Sequence, residues 1–101
     1  MKIIGTGSSL PQKVVTNDDL AAIMDTSDEW ISSRTGIRKR HIATTETTTS
    51  LAVEAVKAAL SDAGTDGSEI DLIIAASVTG DKIVPSLACR IQAEIGADSA
   101  V

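Results

Sequence analysis

Trp30 and Arg34 are the pair of residues in this chain best suited to chemistry on a ligand. Trp30 is the sole aromatic side chain among 101 residues, and Arg34 follows four positions later. That spacing is one turn of helix, so an indole and a guanidinium share a face. A flat ring beside a fixed cation suits a purine that carries phosphate, because the base stacks and the guanidinium can donate two parallel hydrogen bonds. Thr26-x-x-Glu29 has the spacing of a capping box. A short helix carrying Trp30 and Arg34 is therefore expected, with Gly36 ending it.

The other reactive residue types make weaker cases. A single cysteine, Cys89, excludes an internal disulfide framework and a cysteine metal cluster. It lies in an apolar helical pattern with no base beside it, so a buried, non-catalytic thiol is expected. His41 stands alone between Arg40 and Ile42 with no carboxylate near it in sequence, and reads as structural or exposed. Gly5-Thr6-Gly7 suggests a dinucleotide loop, but the third glycine is missing and Pro11 stands where a helix would begin. Arg38-Lys39-Arg40 reads as a solvated strand face, the sharper alternative being a docking patch for an acidic partner. Asp18-Asp19 and Asp28-Glu29 fall at helix starts, where the dipole explains them without an acid–base role.

Elements must position these residues, and their pattern is legible. Residues 2–7 read as a first strand ending in glycines. Thr16 caps a helix running through Leu20 to Met24, and residues 37–43 suit an exposed strand. After a threonine-rich loop, Ala52, Ala55, Val56, Ala59, Leu60 and Ala63 recur at helical spacing, with Gly64 as the stop. Leu72 to Val78 is a continuous apolar run, the habit of a strand buried on both faces in a parallel sheet. Pro85 at a first helical position opens a helix that Gly96 closes, and residues 97–101 begin another extended piece. Helix, buried strand, helix and incipient strand make an α/β unit with no internal domain boundary over residues 1–101.

Composition narrows the function classes. Apolar residues make up 43%, but with no Phe or Tyr the core rests on Ala, Val, Ile and Leu, which supply less area per residue than aromatics. Such a core favours burial inside a larger assembly. A net charge of −5 argues against nucleic acid. The run from Ile70 to Val78 is too short for a bilayer and includes Asp71, and no secretory leader follows Met1. A soluble, cytoplasmic protein without a metal site is expected.

Several motifs in register resemble one family along essentially the whole chain. They are Lys2-Ile-Ile-Gly-Thr-Gly-Ser-Ser-Leu-Pro11, Val15-Thr-Asn-Asp-Asp-Leu20, Asp25-Thr-Ser-Asp-Glu-Trp-Ile31, Arg34-Thr-Gly-Ile-Arg38 with Arg40-His-Ile42, and Pro85-Ser-Leu-Ala-Cys-Arg-Ile-Gln92. In this order the sequence resembles 3-oxoacyl-(acyl-carrier-protein) synthase III. The resemblance implies the N-terminal part of a thiolase-like αβαβα fold with a mainly parallel sheet, working as a homodimer. It implies an acyltransferase that condenses a primer acyl-CoA with malonyl-acyl carrier protein to start fatty acid synthesis, through a thioester on cysteine and with no separate cofactor. It places Trp30 on the CoA adenine, with Thr26 and Arg34 at the same nucleotide end and Thr35 in a supporting position. It places residues 78–84 at the acyl pocket, where some relatives carry a bulky aromatic at the position of Val84. It also places the catalytic cysteine, histidine and asparagine beyond Val101. This stretch is then expected to be inactive alone, and Cys89 falls at a non-catalytic position. The alternatives are a non-catalytic interaction or structural module of the same fold, or a related polyketide-type acyltransferase.

Overall fold

The computed structural model describes residues 1–101. The elements are β1 (Lys13–Thr16), α1 (Asn17–Ala21), α2 (Asp28–Thr35), β2 (Lys39–Ile42), α3 (Thr48–Ala63), a 3-10 turn (Gly67–Glu69) and α4 (Leu87–Ile95). They form two compact units, one of Leu10–Thr45 and one of Met1–Ser9 with Glu46–Val101.

In the unit Leu10–Thr45, β1 and β2 pair antiparallel from Lys13↔Ile42 to Thr16↔Lys39. Thr16 ends β1 and caps α1. Its hydroxyl accepts from the Asp19 N–H at 3.1 Å, and the Asp19 carboxylate accepts from the Thr16 N–H at 2.8 Å. These bonds, the backbone one foremost, hold the Asp19 carboxyl below the usual carboxylate range. α1 stops at Ala21, short of the expected Met24. The expected box at Thr26 and Glu29 does not form. Ser27 is the cap, its hydroxyl accepting from the Trp30 N–H at 3.1 Å, so Glu29 sits one position too early to reach back. Gly36 ends α2 as expected, at φ 72°, where a side chain would be strained.

In the other unit, α3 starts from a reciprocal cap between Thr47 and Ser50 and ends at Gly64. α3 and α4 pack together, with Val53 and Ile91 buried at 8% and 4% exposure. Ser86 caps α4 through the Cys89 N–H at 3.3 Å, so Pro85 precedes the cap and does not occupy the first helical position. Asp81 adds a second clamp. Its carboxylate accepts from the Thr48 and Thr49 N–H groups at 3.0 and 2.8 Å and lies 3.6 Å from the Arg90 guanidinium. That ties the loop before α4 to the first turn of α3.

The glycines near the N-terminus serve packing. A Cβ on Gly5 would stand 2.5 Å from the Ala59 carbonyl oxygen. The segment lies close against α3, its Thr6 N–H donating to Asp62 at 2.9 Å and its Ser9 hydroxyl to Glu54 at 2.7 Å. Residues 2–7 form no β-ladder, contrary to the strand expected there.

The sheet formed within this chain is the two-stranded antiparallel pair β1–β2, and the expected parallel sheet is not assembled among these residues. The apolar run at 72–78 is not buried on both faces. Ile74 is 84% exposed and Val78 wholly so. Its first residues, Leu72, Ile73 and Ile74, line an open apolar groove of about 350 Å³ with Ile3, Val56, Leu60, Ile91 and Ile95. Two backbone bonds join it to the last residue: Val101 N–H to the Asp71 carbonyl at 3.0 Å, and Ile73 N–H to the Val101 carbonyl at 2.9 Å. They bracket Leu72 in the slanted pattern of a single parallel rung. An apolar sequence favours a buried strand, but burial requires neighbours on both faces.

Candidate functional site

α2 presents the pair singled out in the sequence. The Arg34 guanidinium carbon stands 4.4 Å from the centroid of the Trp30 ring, within cation–π range. The geometry follows from the helix: residues four apart stack one turn above another, and the Ser27 cap and Gly36 stop fix the turn that carries them. Trp30 remains 54% exposed, which is unusual for the one large ring in a chain with so little core material. With Ser27, Glu29 and Ser33 the pair lines a shallow cleft of about 240 Å³. Its chemistry is a stacking surface, a fixed cation and hydroxyl groups, with the Glu29 carboxylate at one wall.

Thr26 and Thr35 do not line this cleft. Thr26 is half-buried ahead of the cap. The Thr35 hydroxyl donates to the Ile31 carbonyl at 2.7 Å and accepts from the Ile37 N–H at 3.0 Å, so it is committed to the exit from α2. Ser27 and Ser33 were missed in the sequence. Ser33 lies three residues after Trp30, a spacing that already puts the two on one face.

Behind the helix lies a polar node. Asn17 is 1% exposed, and its side-chain amide donates to the Asp28 carboxylate at 2.8 Å and to the Ile37 carbonyl at 2.7 Å. Its side-chain oxygen accepts from Arg40, which also donates to the Val15 carbonyl at 3.3 Å. Arg38 lies 3.7 Å from the other Asp28 oxygen. The basic cluster expected to be a solvated face is thus partly structural, because Arg40 turns inward to satisfy a buried amide.

The remaining candidates fall outside the cleft. The His41 Nδ1 lies 2.7 Å from the Pro11 carbonyl oxygen; a carbonyl only accepts, so Nδ1 carries the proton and the ring has a structural partner. Cys89 is exposed, which corrects the expectation of a buried thiol. Ile91 takes the inward position on α4, and Cys89 falls with Ala93, one turn later, on the outward side. The Ser86 hydroxyl donates to its sulfur at 3.2 Å.

The backbone points to a class first: in its structural neighbours it belongs to condensing enzymes of the thiolase-like type. 3-Oxoacyl-[acyl-carrier-protein] synthase III from Aquifex aeolicus VF5 superposes with a TM-score of 0.94 at 52% identity, over 98% of this chain and 32% of that one. The priming β-ketosynthase from the R1128 polyketide biosynthetic pathway matches with a TM-score of 0.94 at 40% identity, over 99% of this chain and 30% of that one.

In sequence, β-ketoacyl-[acyl-carrier-protein] synthase III of Streptococcus pneumoniae (strain Hungary19A-6) is 56% identical over 99 residues, 98% of this chain and 31% of that protein. The chain spans about a third of the length of the relatives it matches. No protein-family profile matches it. The resemblance to ketoacyl synthase III read from the motifs is borne out along nearly the full length of this chain.

Proposed function

We propose that this chain is the coenzyme A-binding portion of a ketoacyl synthase III-type acyltransferase. In the complete protein a primer acyl-CoA is condensed with malonyl-acyl carrier protein, and α2 holds the adenine end of the primer. The observation that carries this reading is the Arg34 guanidinium stacked 4.4 Å from a half-exposed Trp30. The open face of an indole is a stacking surface, and a purine has the shape to cover it. Arg34 then serves two partners, the ring beneath it and the phosphate groups of the nucleotide. Ser27 and Ser33 add hydroxyls at the rim. Thr35 supports the C-terminal end of α2, and Thr26, just ahead of the cap, remains a candidate contact at the nucleotide end.

The condensation needs a thiolate with a base or oxyanion donors beside it. This chain has one cysteine and one histidine. Cys89 faces the Ser86 hydroxyl and His41 the Pro11 carbonyl. On this reading the chain alone is inactive, and acyl transfer belongs to residues that the relatives carry outside the matched third. The same reading takes the complete protein as a cytoplasmic homodimer that needs acyl-CoA and acyl carrier protein as its partners and no metal. No helix here is long and apolar enough to cross a membrane. A second reading, priming of a polyketide chain, is favoured by the R1128 neighbour, whose TM-score equals that of the Aquifex enzyme.

Trp30 is its own reporter, since no other aromatic contributes emission. Titration with coenzyme A is expected to quench it, with adenosine 3′,5′-bisphosphate competing. Stacking of a base is worth about 1–3 kcal/mol, so Trp30→Ala, followed by calorimetry, weakens binding by about 5- to 150-fold. Equal affinity in wild type and Trp30→Ala removes the reading.

A further inference from the structure

We propose that Asn17 is the positioning residue for the Trp30–Arg34 cleft, a role that rests on reading that cleft as a nucleotide site. Every lining residue of the cleft sits on α2 or on its cap. Yet α2 has no buried residue, and only Ile31 supplies an aliphatic side chain to it. Burial of an apolar stripe, the usual means of fixing a helix, is missing here. Polar contacts must hold it.

Asn17 provides them. One amide N–H bonds Asp28, the first residue of α2, and the other bonds the carbonyl of Ile37, just past the Gly36 stop. A single planar group therefore grips the start of the helix and the segment that leaves its far end. The amide is itself fixed from behind. Its oxygen accepts from Arg40 on β2, and the Asn17 backbone N–H donates to the Arg38 carbonyl at 3.2 Å. Arg38 bears on the remaining Asp28 oxygen from the solvent side. All side-chain hydrogen-bonding groups of Asn17 are used, and the side chain is almost fully buried. Such a node has one arrangement, and the orientation of α2 follows from it. Asparagine is suited to this because it donates twice and accepts on the same small plane. Aspartate would donate nothing and would set a like charge against Asp28.

The test uses the full chain and coenzyme A itself, with folding monitored by circular dichroism. Asn17→Ala and Asn17→Asp are each expected to weaken coenzyme A binding about tenfold or more, since displacing α2 moves all the lining residues together. They are also expected to change the anisotropy of Trp30 emission before any ligand is added. The double variant Asn17→Asp/Asp28→Asn restores one bond with its polarity reversed, an amide at position 28 donating to a carboxylate at position 17. It is expected to recover part of the affinity, since the bond to the Ile37 carbonyl stays lost. In a Trp30→Ala background the Asn17 effect on binding should shrink, leaving the share that acts through Arg34, whereas a general loss of structure would leave it undiminished.

If Trp30→Ala weakens binding while Asn17→Asp binds as wild type does, the positioning role is overturned and the cleft stands. If Trp30→Ala binds normally, the nucleotide reading falls. Asn17 is then judged on ligand-free Trp30 anisotropy, and an unchanged value in Asn17→Asp overturns the positioning role too.

Discussion

Replacing Gly5 with alanine tests how the N-terminal glycines are used. The added Cβ would meet the Ala59 carbonyl oxygen at 2.5 Å, the Ala63 Cβ at 2.7 Å and the Ala63 nitrogen at 2.8 Å. Non-bonded carbon contacts are favourable near about 3.5–4.0 Å, so the segment must retreat from α3 by roughly 1 Å. Two of the three obstacles are backbone atoms of a helix, which cannot swing aside as a long side chain does. Retreat would also strain the Thr6 to Asp62 bond, which holds the segment at 2.9 Å. Overpacking of this kind costs about 1–3 kcal/mol. Urea denaturation of the full chain should show that loss as a lower midpoint at constant slope. Gly80→Ala is the matched control. Its Cβ meets only the Lys82 carbonyl, at 3.5 Å, and its backbone is in an ordinary region, so the change should be neutral or slightly stabilising. A Gly5→Ala protein as stable as the control would refute the claim that close approach to α3 requires this glycine.

Two further outcomes follow from the packing and the charges. Ile91→Ala removes a side chain that is 4% exposed between α4 and α3, and should cost about 2–4 kcal/mol by the same denaturation measurement. Hydrogen bonds from Thr49, side chain first, hold the Asp81 carboxyl below the usual carboxylate range, with the Arg90 guanidinium adding to the shift. A carboxyl with a depressed folded-state value contributes stability above its unfolded value of about 4 and loses it as pH falls through the folded one. Wild type should therefore lose stability relative to Asp81→Asn as pH drops below about 4, and parallel curves from pH 7 to 3 would contradict the clamp.

The helix stops and the functional pair were legible in the sequence because their causes are local. Gly36, Gly64 and Gly96 end their helices in the left-handed region, which glycine adopts without strain. Trp30 and Arg34 meet because four residues make a turn. Caps were read less well, and the reason is also local. Thr26 and Ser27 both offer a hydroxyl, and only the backbone geometry at Ser27 decides which one reaches the Trp30 N–H.

What the sequence determined by itself was therefore periodicity: which residues share a helix face, where helices stop, and that one aromatic ring stands beside a cation. Tertiary structure decided everything set by neighbours. It left Leu72, Ile74 and Val78 of the apolar run exposed within this chain and turned Cys89 outward. It also drew Arg40 inward to a buried amide and made Asn17, an inconspicuous residue in a helix-start signal, the node behind α2. Periodicity acts over one or two turns of chain. Burial and polar satisfaction depend on groups that sequence separates by tens of residues, as Arg40 is from Asn17, and only folding brings them within bonding distance.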